Sequence, residues 1–157
     1  MRLSTRSRYS ILALMDLAAH AGEAPVLVRE IAEREGISDR YLEQLLLPLK
    51  AAGMVRASRG THGGFTLARD PGELNLKEII RVTEGSTSFT ECVDDPGICS
   101  RADVCALRDA WQEVTAAAEA VLASITIADL VARQAKKPRA ASGMGCPIPP
   151  KGVSDRQ

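Results

Sequence analysis

Aromatic residues make up only 3% of this 157-residue chain: two Phe, two Tyr and one Trp. So few aromatics argue against a β-sandwich and against a single-strand nucleic-acid binder that stacks bases on aromatic rings. The hydrophobic residues, 45% of the chain, must therefore pack mainly through aliphatic side chains, as helices do. The composition favours a mainly α-helical globular protein.

Long apolar runs are also missing, since no stretch approaches the roughly 18 to 20 residues that a membrane-spanning helix needs. The opening residues, MRLSTR, lack the apolar stretch and cleavage site of a signal peptide. We therefore expect a cytoplasmic protein with no membrane segment. In that reducing compartment the four cysteines are expected to be thiols or metal ligands rather than disulfides.

Net charge is zero, because twenty Lys and Arg balance twenty Asp and Glu. The distribution is uneven, with +1 over residues 1 to 90, −5 over 91 to 135 and +4 over 136 to 157. Residues 44 to 69 hold no acid, and they carry Lys50, Arg56, Arg59, His62 and Arg69. Short acid-free stretches also arise by chance, so this cationic zone alone leaves DNA binding open.

Three helices are predicted at the start of the chain. Apolar residues at 11, 14, 15 and 18 recur with helical spacing and predict a first helix over about 8 to 20. A second helix over about 28 to 35 ends before Gly36, and Ser38 is a good N-cap for a third that reaches Gly53. Two short helices separated by a glycine-containing turn predict a helix-turn-helix.

The third helix contains Pro48, where we expect a kink or an early end. After it, residues 54 to 57 and 64 to 67 read as two short strands around the glycine-rich tip Arg59-Gly60-Thr61-His62-Gly63. Such a hairpin alone is an ordinary surface turn. Placed directly after a helix-turn-helix, it predicts a winged helix whose cationic tip reaches a DNA groove.

The rest of the chain divides into four parts. A capping box of Asn75 and Glu78 predicts a fourth helix that ends at Gly85, which closes a domain over residues 1 to 85. Residues 86 to 103 show no periodicity and form a cysteine-rich loop. Residues 104 to 135 hold a long helix and a short following helix capped by Thr126. Residues 136 to 157, rich in Pro and Gly, are expected to be a disordered tail.

The long helix carries apolar residues at heptad spacing: Leu107, Trp111, Val114, Ala118 and Val121, followed by Ile125. A heptad seam suits pairing with another helix. The seam can also pack on the protein's own first domain. A homodimer is better motivated, because DNA readers of this class bind paired half-sites.

Cys92, Cys99 and Cys105 are spaced C-x6-C-x5-C. Structural zinc sites usually have closer pairs, and thioredoxin-type redox sites need C-x-x-C. Three thiolates on a loop can surround an iron–sulfur cluster, for which thiolates are the usual ligands. Free thiols, zinc and a disulfide switch remain alternatives, and the fourth ligand is open between a carboxylate, a partner-chain residue, Cys146 and a small molecule.

Over about residues 1 to 135 the sequence resembles the IscR/NsrR-type family of bacterial winged-helix transcription regulators. The resemblance rests on the opening Met1-Arg2-Leu3-Ser4 with Arg8-Tyr9, on Ile37-Ser38 followed by Tyr41-Leu42-Glu43-Gln44, on Gly53-Met54-Val55, and on residues 59 to 65, RGTHGGF. The cysteine loop ahead of a long helix completes it. The resemblance implies a homodimer bound to double-stranded operator DNA, with the third helix in the major groove and the wing in the minor groove.

Carried over by position, the implied DNA-contacting residues are Ser38, Tyr41, Glu43, Gln44 and Arg59. Their neighbours Arg40, Thr61, His62 and Gly63 are further candidate DNA-binding residues. The chemistry agrees, because Gln reads adenine, a carboxylate accepts from cytosine N4, and Arg suits a narrow minor groove. Glu43 would repel phosphate, so it would act through a base contact or by exclusion. The implied cluster, with two or four irons, is held by Cys92, Cys99 and Cys105.

The sequence departs from the family pattern in three places. The first gap between cysteines has six residues rather than the common five. Arg108 stands where some members carry a histidine ligand, and the N-terminal Arg6-Ser7-Arg8 lacks the aspartate that others use. These differences leave open the cluster type and the stimulus, whether iron status, nitric oxide or redox.

We therefore expect a transcription regulator that is not an enzyme, with operator affinity controlled by the cluster. An alternative is a winged-helix regulator that responds through thiol oxidation, zinc or a small ligand without iron. A thiol redox enzyme is the weakest hypothesis, because no acid–base partner or nucleotide-binding loop accompanies the cysteines.

Overall fold

The computed structural model describes residues 3–22, 24–58 and 63–137. Within them the helices are α1 (Thr5–Ala19), α2 (Val28–Glu35), α3 (Asp39–Ala51), α4 (Leu76–Glu84), α5 (Glu91–Asp94), α6 (Ala106–Ser124) and α7 (Ile127–Ala135). The strands β1 (Val55–Ser58) and β2 (Gly64–Leu67) pair antiparallel. The predicted class, mainly α with a two-stranded wing, is confirmed. The predicted tail from residue 138 onward lies outside the described residues.

The turn between α2 and α3 follows the sequence signals. Gly36 ends α2 in the left-handed region at φ 67°, and the Ser38 hydroxyl accepts the Tyr41 N–H at 3.3 Å to begin α3. The predicted early end at Pro48 is wrong, because α3 continues to Ala51. The Ala52 N–H still bonds to the Pro48 carbonyl at 3.0 Å, so the proline leaves the following turn intact. The helix ends after Ala51, and Gly53, whose φ is 69°, follows its C-cap residue Ala52.

One hydrophobic core joins both ends of the described chain. Helix α1 packs against α2, α3, α4 and α7. Fully buried side chains at its centre come from all five of these helices: Leu14, Ile31, Leu42, Leu46, Leu49, Ile79 and Ile127. Because Ile127 starts α7, this helix packs into the same core as the helix-turn-helix. The boundary proposed at residue 85 stays a prediction.

The wing strands are held to the body by a third segment. Their register runs from Val55 opposite Leu67 to Ser58 opposite Gly64. Val26 and Phe65 also exchange two backbone hydrogen bonds, of 2.9 and 2.8 Å. At Gly64 a β-carbon would lie 2.4 Å from the Val26 carbonyl oxygen. Glycine is therefore required there by the close approach of the two backbones.

The predicted capping box of α4 forms only in part. The Asn75 side chain accepts the Glu78 N–H at 3.0 Å. The Glu78 carboxylate, however, accepts from Arg69 Nη1 at 2.7 Å rather than from the cap. Gly85, with φ 85°, ends the helix as predicted.

The cysteine-rich segment is more regular than the unstructured loop that the sequence predicts. It contains α5 and two 3-10 turns, Pro96–Ile98 and Ala102–Val104. In the first of these turns, the Asp95 side chain accepts the Gly97 N–H at 2.9 Å and Pro96 occupies the first position. Local capping interactions therefore stabilise this turn. Elements of three or four residues are too short to produce a periodic pattern. None of the described helices has the length and apolar character needed to cross a membrane.

Candidate nucleic-acid interface and cysteine segment

Helix α3 has one buried and one exposed face. Leu42, Leu45, Leu46 and Leu49 are buried in the core. The side away from the core is polar in its first two turns and exposes the predicted residues Ser38, Arg40, Glu43 and Gln44. Four of the predicted contact residues are thus available to a macromolecule, on a helix that the core holds firmly.

Tyr41 has a different environment from the other predicted residues of α3. It is half-buried, and its ring meets the buried ring of Tyr9 edge-on, with centroids 6.1 Å apart. Burial raises the pKa of Tyr41, although the nearby charge of Arg6 opposes that shift. The residue therefore also anchors α3 to α1. Sequence reasoning missed this role, because Tyr9 lies 32 positions earlier in the chain.

The base of the wing lies beside the start of α3. An open groove of about 650 Å³ is lined by Leu27, Arg29, Asp39, Ser58 and Gly63, among others. Gly63 is the one predicted wing-tip residue that the structure describes, and it is half-buried. Arg59, Thr61 and His62 lie outside the described residues. The groove brings the described end of the wing and the first turn of α3 to one side of the molecule.

The cationic zone of the sequence is divided between solvent and internal pairs. Lys50, in the last turn of α3, and Arg56, on β1, are exposed. Arg69 is instead engaged by Glu78 at 2.7 Å and lies 3.9 Å from the Glu73 carboxylate. These contacts raise the pKa of Arg69, the hydrogen bond that it donates to Glu78 being the largest cause. Arg69 therefore stabilises the fold through these ion pairs and is not part of the exposed cationic surface.

The three predicted metal-binding residues occupy different elements of one segment. Cys92 lies in α5, Cys99 follows the first 3-10 turn, and Cys105 is the N-cap of α6. All three are half-buried free thiols. In the described ranges, the His, Cys, Asp and Glu side chains do not gather in any group of three that could hold a metal ion. The segment therefore forms short helical elements but does not bring the three thiols together into one site.

Several contacts fix this segment to α6. Arg108 Nε donates to the Cys92 carbonyl oxygen at 2.8 Å. The Phe89 ring stacks on Trp111, with centroids 6.0 Å apart and planes inclined by 11°. Both contacts join the residues around the first cysteine to the first two turns of α6. Neither contact could be predicted from the sequence, because each joins residues that lie in separate parts of the chain.

A carboxylate of α6 connects the cysteine-rich segment to α4. Glu119 of α6 accepts a hydrogen bond from the Thr87 hydroxyl and pairs with Lys77 Nζ of α4 at 2.8 Å. These contacts lower the pKa of Glu119, with the Lys77 bond as the largest cause and the Thr87 bond next. The segment, the long helix and α4 therefore meet at one side chain.

The predicted seam of α6 separates into two rows. Leu107, Val114 and Val121 are 64%, 42% and 58% exposed. Trp111 and Ala118 are half-buried, and α6 packs on α4. The half-buried row packs within this chain, whereas the exposed row leaves an apolar stripe with seven-residue spacing along the helix.

Comparison with known proteins gives concordant results. The model of the Rrf2 family, described as iron-dependent transcriptional regulators, matches residues 3–133. The transcriptional regulator IscR of Xenorhabdus nematophila is 37% identical over 134 residues, which cover 85% of this chain and 81% of that protein.

Two solved structures show the same fold. T. potens IscR has a TM-score of 0.70 and 38% identity, and the match covers 89% of this chain and 94% of that one. CymR, described as the global cysteine regulator of B. subtilis, has a TM-score of 0.70 and 35% identity, with 85% and 98% covered. The winged-helix architecture predicted from the sequence is confirmed.

Proposed function

Since this chain belongs to the Rrf2 family of transcriptional regulators, we propose that it is a homodimer whose operator affinity is controlled by an iron–sulfur cluster on Cys92, Cys99 and Cys105. Relatives of this family are named as regulators, and the family is not enzymatic. One observation carries the proposal: the same chain has an exposed polar face on α3 and a three-thiol segment that is hydrogen-bonded to α6.

In this proposal α3 reads the major groove. Gln44 donates to and accepts from adenine, and Glu43 accepts from cytosine N4. Ser38, Arg40 and Tyr41 contact the sugar–phosphate backbone of the DNA beside those bases. At the wing, Arg59 enters the minor groove, with Thr61, His62 and Gly63 beside it. The exposed α3 face and the nearby base of the wing support this assignment.

The exposed row of α6 supplies the dimer interface. Three apolar residues with seven-residue spacing suit a second copy of the same helix in a two-fold arrangement. Val104, 80% exposed, extends the apolar surface just before α6. A two-fold dimer would present two α3 helices to paired half-sites.

The donor set fits an iron–sulfur cluster in chemistry, because it offers three thiols with no disulfide between them. When bound, the cluster would supply redox- and iron-dependent cross-linking of the three cysteines. Gathering the thiols would rearrange α5 and the 3-10 turns, whose hydrogen bonds are mostly local. Arg108 and Trp111 would transmit that change to α6, and Glu119 would transmit it to α4.

A second candidate is thiol-based regulation without iron. Two observations favour it: the described thiols are not gathered, and B. subtilis CymR is named a cysteine regulator. Half-buried single thiols suit reversible oxidation or a small thiol ligand. The same contacts of Arg108 and Glu119 would then carry the response.

Anaerobic purification separates the two candidates. The cluster proposal expects iron, sulfide and visible absorption, all lost when Cys92, Cys99 or Cys105 is replaced by Ala. Cys146→Ala is the matched control and should keep the absorption. Protein without iron or sulfide, whose DNA affinity changes with thiol oxidation alone, would establish the second candidate instead.

Charged substitutions in the exposed row of α6 test the proposed dimer interface. Val114→Glu with Val121→Glu should convert the dimer to a monomer in sedimentation analysis, because two carboxylates would be buried without partners. Gln112→Glu with Ala116→Glu adds the same charge elsewhere on exposed α6 surface and should leave the dimer intact. A dimer that survives the valine changes would place the interface on another surface.

A further inference from the structure

Leu47 is a large apolar side chain of α3 that the core does not cover. It is 63% exposed, whereas Leu46 and Leu49 are fully buried. The other strongly exposed apolar residues of the described chain lie on α6, in the segment before it, or at Leu3. Single exposed leucines are common on protein surfaces, so the position of Leu47 matters more than its exposure.

Leu47 continues the exposed row of α3. It follows Arg40 by seven residues, Glu43 by four and Gln44 by three, and all four side chains are exposed. Residues at these intervals share one helix face. The polar residues that are proposed to read base edges are thus followed, one turn later, by an aliphatic side chain.

An aliphatic side chain has no group that reads a hydrogen-bond donor or acceptor. The base edge that it can recognise in the major groove is the C5-methyl group of thymine. We propose that Leu47 is a specificity-determining residue that selects a thymine in each operator half-site through this methyl group. This inference rests on the proposed role of α3 as the recognition helix.

The spacing places the thymine relative to the base read by Gln44. Three residues of α-helix advance by about 4.5 Å along the axis, and successive base pairs are separated by about 3.4 Å. The selected thymine should therefore lie one or two base pairs from the pair that depends on Gln44.

The test uses the full chain and a pool of duplexes with 20 randomised base pairs. Selection with the wild-type protein should give a thymine preference at this distance from the position that Gln44→Ala relaxes. Selection with Leu47→Ala should lose the thymine preference alone. Because Leu47 is exposed, the substitution should leave the thermal unfolding midpoint unchanged.

A selected duplex with that thymine replaced by uracil, which lacks the methyl group, isolates the contact. Wild-type binding at fixed salt should weaken about fourfold per half-site, the equivalent of about 0.8 kcal/mol for one buried methyl group. Leu47→Ala should bind the thymine and uracil duplexes equally. Leu3→Ala, the matched control at an exposed leucine outside α3, should keep the fourfold preference.

Equal binding of both duplexes by the wild-type protein would overturn the inference, and so would an equal uracil penalty in Leu47→Ala. Weaker binding of Leu47→Ala to every sequence, with a lower unfolding midpoint, would show a structural role and also overturn it. If the wild-type protein selects no sequence, or Gln44→Ala changes nothing, the recognition-helix proposal itself fails. A Gln44-dependent sequence without a Leu47 effect removes only the present inference.

Discussion

Arg108 Nε, in the first turn of α6, donates a hydrogen bond to the backbone carbonyl oxygen of Cys92 at 2.8 Å. Since Cys105 caps the same helix, this contact joins the element that carries the first cysteine to the element that begins at the last. A charged guanidinium donor makes a stronger hydrogen bond than a neutral one. Arg108 is therefore well placed to hold the cysteine segment against α6.

Replacing Arg108 with Gln should loosen the segment. Loss of a hydrogen bond from a charged donor costs about 1.5 kcal/mol or more, so backbone amides in residues 91 to 98 should exchange about tenfold faster with deuterium. Arg101→Gln, at an exposed arginine of the same segment, is the control and should exchange as the wild-type protein does. Equal exchange in the two variants would contradict a holding role for Arg108.

Glu119 should contribute stability that depends on pH. The Lys77 and Thr87 contacts lower its pKa in the folded protein, below the unfolded value of about 4.3. The contribution is therefore fully present above about pH 4.3 and is lost as the pH falls through the folded pKa. Glu119→Gln should lower the free energy of unfolding by about 0.5 to 1 kcal/mol at pH 7, because the pair remains partly exposed to solvent.

Urea denaturation of Glu119→Gln and the wild-type protein at pH 7 and pH 3 measures this difference. It should shrink at the lower pH. Glu113→Gln, at an exposed glutamate of α6, should show little difference at either pH. A Glu119 difference that is the same at both pH values would mean that the carboxylate charge is not the stabilising feature.

Local signals explain why so much of the fold could be predicted. The Thr126 hydroxyl accepts the Asp129 N–H at 3.2 Å, as the Ser38 and Asn75 side chains accept N–H groups at the starts of α3 and α4. Gly36 and Gly85 end helices in the positive-φ region. Each signal acts within a few residues of the chain, so the sequence alone contains it.

Contacts between distant residues explain what could not be predicted. The periodicity of α6 identifies both Leu107 and Trp111 as apolar, but it does not show that Trp111 stacks on Phe89 while Leu107 stays exposed. The pairing of Arg69 with Glu78 likewise depends on how the wing returns to α4. Among the proposed contact residues, the geometry separates half-buried Tyr41 from exposed Glu43, which share one motif in the sequence.

Gly64→Ala should destabilise the wing. The added β-carbon would lie 2.4 Å from the Val26 carbonyl oxygen and 2.8 Å from its carbonyl carbon, so the backbones must separate. Strain of this kind costs about 1 to 3 kcal/mol, measured as the free energy of unfolding. Gly22→Ala is the matched control, since its β-carbon would meet no atom closer than 4.0 Å. Equal stabilities of the two variants would show that the Val26–Phe65 pairing tolerates the methyl group.

The ion pair between Arg34 and Asp16 should stabilise the contact of α2 with α1. Arg34 donates from two nitrogens to the two Asp16 oxygens, at 2.6 and 2.7 Å, and the Asp16 side chain is only 4% exposed. Arg34→Ala would leave a buried carboxylate without its cation and should cost about 2 to 4 kcal/mol of unfolding free energy. Arg29→Ala removes a pair with Glu33 at 4.0 Å, in which both side chains are 71% exposed, and should cost less than about 0.5 kcal/mol.

A double-mutant cycle identifies the source of that loss. If the buried negative charge of Asp16 causes most of it, Arg34→Ala should cost much less in an Asp16→Asn background, because the amide needs no cation. Equal costs in both backgrounds would show instead that Arg34 stabilises α2 through the packing of its aliphatic stem.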